Sequence, residues 1–158
     1  MTCDLLRRSL IFTATAAVIP LQPALAMERV HDVQQVYAVD GLDHVTATKR
    51  ALQCIRKYAS SGLTTADAVI SSDVDAGYIQ ARNAWRGEGF AALNYRAVIT
   101  FEAKDGRFRI TQNSFEVATD RSAYGPMNYS FGGFEGRVSA ISDRIADCVK
   151  SGPVSDDF

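Results

Sequence analysis

The feature that most constrains the fold is a long alternating segment that ends in a hairpin turn. From Leu93 to Ala103, apolar residues occupy every second position, which is typical of a strand with one buried face. Asp105-Gly106 follows this segment, and this dipeptide favours a two-residue turn between antiparallel strands. The resulting register places Lys104 opposite Arg107, Glu102 opposite Arg109 and Phe101 opposite Ile110. The second of these pairs joins opposite charges and the third joins apolar side chains, as stable cross-strand pairs require.

The remaining periodicity predicts an α+β fold with the order strand, helix, four strands, helix. The predicted strands are Val30–Val39, Asp67–Ser72, Tyr78–Trp85, Leu93–Ala103 and Arg107–Val117, with a bulge or strand end near Asn113. One helix is predicted from His44 to Ser60 with Asp43 as its N-cap, and another from Glu135 to Val149. Because only one face of each strand is apolar, both helices are expected on one face of an antiparallel sheet.

The first 26 residues indicate an export signal. Arg7 and Arg8 precede an almost uncharged run of about 13 residues, and Ala24-Leu25-Ala26 fits the pattern cleaved by signal peptidase. A membrane-spanning helix needs roughly 20 apolar residues, so a permanent anchor is disfavoured. The arginine pair also resembles a twin-arginine signal, and both export routes stay open. The expected organisation is a signal peptide over 1–26, one domain over 27–152 and a disordered tail over 153–158, in a periplasmic or secreted protein.

Removing this leader leaves two cysteines, Cys54 and Cys148. In an oxidising compartment such a pair favours one disulfide, while two buried free thiols are the alternative. Each cysteine lies on or beside the predicted apolar stripe of a different helix. These stripes comprise Val45, Leu52, Ile55 and Ala59 in the first helix, with Cys54 at the edge, and Val138, Ile141, Ile145, Cys148 and Val149 in the second.

The charge balance argues against nucleic-acid binding. The leader contains Arg7, Arg8 and Asp4, so the 17 basic and 18 acidic residues of the chain fall to 15 and 17 after cleavage. A domain of net charge about −2 lacks the excess of Lys and Arg that phosphate backbones require.

Two segments resemble a known family. The strings DAGYIQARNAW and LNYRAVITFEAKDGRFRIT are similar to small exported bacterial domains of unknown function that have a TATA-box-binding-protein-like (TBP-like) fold. The matching residues are Gly77, Tyr78, Ile79, Tyr95, Arg96, Lys104, Asp105, Gly106, Arg107 and Arg109. The resemblance covers roughly Lys49 to Val149. It implies the fold, but DNA binding does not follow from the family's name.

Two surfaces are candidates for binding a ligand or partner. The outer sheet face is expected to present Tyr78, Arg82, Arg96, Glu102 and Arg109, where three arginines around one glutamate could grip a carboxylate, sulfate or acidic peptide. The alternative is a solvated face with cross-strand ion pairs. The second candidate is a glycine-rich aromatic loop over Thr119–Gly136, containing Tyr124, Met127, Tyr129, Phe131 and Phe134. These side chains could equally form a satellite core.

No pattern for catalysis, metal binding or cofactor binding is evident. His31 and His44 are widely spaced, and Asp73 and Asp75 flank a turn without the further ligands of a calcium loop. The sequence therefore favours an exported, non-catalytic domain that binds an unknown protein, peptide or small anionic ligand. The alternative hypothesis is a periplasmic inhibitor or immunity protein that binds a partner enzyme.

Overall fold

A computed structural model describes residues 27–60, 62, 67–87, 93–118, 123–131 and 133–152. The predicted leader (1–26) and tail (153–158) lie outside the described residues. The elements of the described part are, in chain order, β1 (Met27–Arg29), β2 (Val33–Ala38), α1 (His44–Tyr58), β3 (Val69–Asp73), β4 (Tyr78–Arg86), β5 (Asn94–Lys104), β6 (Arg107–Ala118), β7 (Gly125–Pro126), β8 (Tyr129–Phe131) and α2 (Phe134–Ser151).

The hairpin of β5 and β6 has the predicted register. Lys104 pairs with Arg107, and the pairing continues through Glu102 with Arg109 and Phe101 with Ile110. The register shifts between Arg96 and Val98, opposite a segment of β6 in which Ser114 has a φ of 52°. This irregularity confirms the bulge predicted near Asn113. It returns the following residue, Phe115, to the buried face.

The sheet is antiparallel, with the strand order β2-β6-β5-β4-β3, and β7 continues along the edge of β6 beyond β2. Strands β3 to β6 form a meander, whereas β2, which precedes the meander in the chain, pairs with its last strand, β6. Both helices pack on one face: α1 contacts the meander strands, and α2 contacts α1 and β2. The predicted α+β architecture is therefore confirmed. Its core lies between the helices and the sheet face that carries Ile79, Ile99, Phe101, Phe108 and Ile110.

Helix α1 begins where the sequence predicts. The Asp43 side chain accepts a hydrogen bond from the Thr46 amide at 2.8 Å, which satisfies one of the free donors at the helix start. The helix ends two residues earlier than predicted, because Ala59 adopts extended backbone angles. Its buried face is also rotated from the predicted stripe, so that Cys54 is completely buried.

A disulfide bond joins Cys54 of α1 to Cys148 of α2, and the two Cα atoms are 5.9 Å apart. The predicted pairing is confirmed. Arg50, one turn before Cys54, donates a hydrogen bond to the carbonyl of Val149 at 3.2 Å. The helices therefore run antiparallel to each other and lie side by side on the sheet.

The first predicted strand, Val30–Val39, is divided into two. Strand β1 pairs with β8 in a separate two-stranded sheet, whereas β2 joins the main sheet. Between them, the Val30 amide donates to the Asn128 carbonyl at 3.0 Å. The segment predicted as an aromatic loop thus contains the short strands β7 and β8, which are held by pairing with distant residues.

Candidate functional site

In the described part of the chain, the outer face of the main sheet carries no helix. One row of side chains crosses this face at equivalent positions of four strands: Tyr78 of β4, Glu102 of β5, Arg109 of β6 and Val36 of β2. Val36 is 62% exposed, a high fraction for an apolar residue in a strand. Among the described residues, this face is therefore open to solvent at Val36.

A depression of about 390 Å³ lies on this face, at the end of the sheet where the β5–β6 turn is located. It is lined by Val36, Ala76, Gly77, Tyr78, Glu102, Ala103, Lys104, Arg107, Phe108 and Arg109. Its volume falls within the usual range for sites that bind small molecules.

Gly77 shapes one wall of the depression. Its φ is +71°, and a Cβ atom there would lie 2.6 Å from the carbonyl oxygen of Ala103. The Ala103 amide donates a hydrogen bond to the Gly77 carbonyl at 2.7 Å. Glycine thus allows the β3–β4 turn to pack directly against β5.

The depression carries an excess of positive charge. Arg109 donates two hydrogen bonds to the Glu102 carboxylate, one of them from Nε at 2.8 Å, so these charges neutralise each other. Lys104 and Arg107 also line the depression. Within the described residues, neither forms an ion pair. The charges of these two cations are therefore not neutralised by a carboxylate of the described residues, in a depression that Tyr78 also lines.

The three arginines that were predicted to surround Glu102 lie apart from one another in the structure. Tyr78, Glu102 and Arg109 come together in the depression, whereas Arg96 forms an ion pair with Glu116 instead. The prediction of three arginines around Glu102 is thus wrong, because Arg96 and Arg82 lie further along their strands. Arg82 is exposed on the same face, opposite Val98.

Sequence reasoning did not select Lys104 and Arg107 for this site. Both flank the predicted Asp105-Gly106 turn, and the predicted register already pairs them directly. In a strand, residues two positions apart share a face. The alternation that places Glu102 and Arg109 on the outer face therefore also places Lys104 and Arg107 there.

His44 joins three chain segments at the rim of the site. Its Nδ1 lies 2.8 Å from the Asp105 carboxylate in the β5–β6 turn, and its Nε2 lies 3.2 Å from the Asp75 carbonyl in the β3–β4 turn. Both partners are acceptors, so only the protonated imidazolium ring can donate to both at once. The hydrogen bond that His44 donates to the Asp105 carboxylate raises the pKa of His44, and the same bond lowers the pKa of Asp105.

This arrangement predicts pH-dependent stability. The pKa of His44 in the folded protein lies above its ordinary value of 6.5, so its stabilising effect is complete below pH 6.5 and is lost as the pH rises through the folded pKa. The contribution of Asp105 is present above pH 3.8 and is lost on acidification. We expect the thermal midpoint of the wild type, followed by circular dichroism, to fall between pH 6 and 8. The thermal midpoint of His44→Gln should depend less on pH over this range than that of the wild type. Parallel pH profiles of the two proteins would contradict this role of His44.

The aromatic candidates have different environments. Phe134 belongs to a satellite core, the alternative given for the aromatic segment, and not to a binding surface: it is 4% exposed and packs edge-on against Phe115. Met127 is partly buried against the same small cluster. Tyr124 lies over the guanidinium of Arg96, 4.1 Å from the ring centre. Tyr129 remains 58% exposed, and the side chain of Phe131 lies outside the described part.

The described residues contain no group of three or more potential ligands placed to hold a metal ion. The Asp73 side chain accepts a hydrogen bond from the Ala76 amide at 2.9 Å, which is a turn-forming contact. Among the helices described, none is long and apolar enough to cross a membrane.

Comparison with solved structures identifies the fold. A DUF4468 family protein from Bacteroides ovatus superposes with a TM-score of 0.53 and 9% identity, over 78% of this chain and 88% of its own. A TBP-like protein from Parabacteroides distasonis gives a TM-score of 0.59 and 7% identity, over 77% of this chain and 93% of its own. The chain thus has the TBP-like fold implied by the resemblance. No protein-family model matches it, and no curated protein sequence does. Identities this low carry no information about activity.

Proposed function

We propose that the chain is an exported, non-catalytic domain that binds an anionic ligand in the depression on its outer sheet face. The observation that carries this proposal is the pair of cations, Lys104 and Arg107, beside an Arg109–Glu102 pair that is already neutralised. A guanidinium group presents a planar set of donors that matches a carboxylate or sulfate, and an ammonium group adds a compact charge. The proposed class of ligand thus follows from the charge and geometry of these side chains, and not from analogy with another protein.

Export is supported by two features of the chain. The Cys54–Cys148 disulfide is the state expected of a cysteine pair in an oxidising compartment. The second feature is the sequence of residues 1–26, in which Arg7 and Arg8, an almost uncharged run and Ala24-Leu25-Ala26 fit a cleaved export signal.

The proposal predicts that removing the two positive charges weakens anion binding. Succinate and sulfate are suitable probes, and their neutral analogue is succinamide. We expect both anions, at constant ionic strength, to shift the amide NMR signals of Gly77, Gly106 and Arg107. Lys104→Gln with Arg107→Gln should weaken binding at least tenfold, because each charged hydrogen bond contributes about 1.5–3 kcal/mol.

A matched control tests whether general electrostatics explains the result. Arg82→Gln with Arg86→Gln removes the same charge from exposed positions on the same face, outside the depression. This control should change the affinity less than twofold. Equal losses in the two double variants, or equal binding of succinamide, would contradict the proposal.

A periplasmic inhibitor or immunity protein is the second candidate function. The observation that favours it is the exposure of two large side chains on the small β1–β8 sheet, Met27 at 63% and Tyr129 at 58%. Aromatic side chains of this kind anchor many protein interfaces. A partner enzyme captured from the periplasm by the wild type and lost with Tyr129→Ser would support this function, whereas retention by the variant would count against it.

A further inference from the structure

The strand β2 forms an edge of the main sheet and lacks the usual protection of such edges. In the described part of the chain, its strand partner is β6, and that pairing runs from Val33 to Ala38 without a register shift. The segment VQQVYA contains no charge, proline or glycine. Edge strands are usually protected by charges, proline, bulges or a covering element. At the opposite edge, β3 has a register shift between Val69 and Ser71 and ends in Asp73.

The residues next to β2 on the outer face favour an acidic neighbour. Ala38 pairs with Arg107, and Val36 pairs with Arg109. The Arg109 guanidinium is bound to Glu102 on β5, away from the β2 edge. Arg107 forms no ion pair with another described residue, and only the methyl group of Ala38 lies between it and the edge.

The distances suit contact between Arg107 and a strand added to β2. Neighbouring strands lie about 4.8 Å apart, so an added strand would lie about 10 Å from β6. The extended side chains of an arginine and a glutamate together span that separation. A carboxylate opposite Ala38 would therefore reach the Arg107 guanidinium at the margin of the depression.

The inner face of the same edge disfavours an acidic side chain. There, the Asp143 carboxylate accepts hydrogen bonds from Tyr37 Oη at 2.9 Å and from Gln35 Nε2 at 3.2 Å. An acidic residue beside Tyr37 would meet this carboxylate at close range and be repelled. Lys150 Nζ lies 5.0 Å from the centre of the Tyr37 ring and partly offsets this repulsion. The outer face of β2, beside Arg107, therefore favours an acid more strongly than the inner face.

We propose that the anion bound at the depression is an acidic side chain of an extended peptide segment that adds to β2 as a further strand. The backbone of the segment pairs with the free edge of β2. Its outer-face residues alternate, with an acid opposite Ala38 and an apolar residue opposite the exposed Val36. This inference rests on the proposed function and names the class of partner for the same site.

Two labelled peptides test the inference, TETVTVT and its reverse TVTVTET, because an added strand can run in either direction. We expect one of them to bind the full mature protein in fluorescence anisotropy. Its Glu→Gln counterpart should bind at least tenfold more weakly, and Arg107→Gln should remove that difference. Hydrogen exchange should then show slower exchange of amides in β2, and no change in β3.

Two controls separate backbone pairing from charge attraction. N-methylation of alternate peptide amides keeps the charge but blocks strand pairing, so it should abolish binding. Arg82→Gln should leave the difference between the Glu and Gln peptides intact.

Four results would each overturn the inference: failure of both peptides to bind, equal binding of the Glu and Gln peptides, full binding after N-methylation, or slower exchange in β3. If the peptides fail while succinate still shifts the Gly106 and Arg107 signals, strand addition is wrong and the anion site stands. If neither the peptides nor succinate bind, the proposed function is wrong as well.

Discussion

Replacing Cys54 and Cys148 together by alanine is expected to lower the free energy of unfolding by about 3–5 kcal/mol. The bond joins residues 94 positions apart, and it restricts the unfolded chain strongly because the loop it closes is long. It also holds α1 beside α2, which contacts the sheet mainly through β2. Since single domains are typically stable by only about 5–15 kcal/mol, this loss would remove a large part of the total.

Urea denaturation of the oxidised wild type and the double variant measures this loss directly. Reduced wild type is the matched control, because it keeps both sulfur atoms, that of the completely buried Cys54 and that of the partly buried Cys148. The reduced protein should lose most of the stability that the double variant loses, since the effect comes from the covalent link rather than from the volume of the side chains. A difference of less than about 1 kcal/mol between oxidised and reduced protein would contradict this account.

Local patterns predicted the hairpin most accurately. The Asp105-Gly106 turn sets the register of β5 and β6 without help from distant residues, and the alternation assigns their faces. The register in turn places Glu102, Arg109, Lys104 and Arg107 together on the outer face. Most of the candidate site could thus be derived from about ten consecutive residues around one turn.

The prediction for Arg96 failed because this residue lies six positions from Glu102 along β5, and a bulge in β6 then determines which carboxylate it meets. Residues of β6 beyond Ser114 are displaced by one position relative to β5, so Glu116 comes to lie opposite Arg96. A bulge near Asn113 was predicted, but its exact position decides which carboxylate Arg96 meets. Hydrophobic periodicity locates such irregularities only to within a few residues, and that is too coarse to assign an ion pair.

Other features depend on contacts between distant segments. Strands β1 and β8 are three residues each, and their pairing connects Met27 with Phe131 across most of the chain. The buried face of α1 includes Thr48, whose hydroxyl group donates to the His44 carbonyl at 2.7 Å. A stripe drawn from apolar residues alone therefore misplaces the helix face. Neither feature has a local signal that alternation or helical spacing could reveal.

Gln112 is the buried polar residue with the largest predicted effect on stability. Its side chain is completely buried, and Nε2 donates to the Val138 carbonyl at 2.8 Å and to Ser142 Oγ at 2.9 Å. In Gln112→Glu, a carboxylate would face the Val138 carbonyl oxygen without a donor. Burial of this kind raises a carboxyl pKa by up to about 3–5 units, so we expect a loss of about 4 kcal/mol at pH 7.

The pH dependence and an uncharged variant distinguish charge from shape. Because the pKa of the new carboxyl group is raised on folding, the folded state of Gln112→Glu binds the extra proton, and most of the lost stability should return as the pH falls towards about 4. Gln112→Met has a similar volume and removes the buried Oε1, which has no hydrogen-bond partner among the described residues. It should therefore change the free energy of unfolding by less than about 1.5 kcal/mol at any pH. Chemical denaturation at pH 4.5 and 7 measures both variants. An equal loss in the free energy of unfolding of Gln112→Glu at the two pH values would show that ionisation of the new carboxyl group has no cost at this site. That result would contradict the buried environment that the contacts with Val138 and Ser142 of α2 indicate.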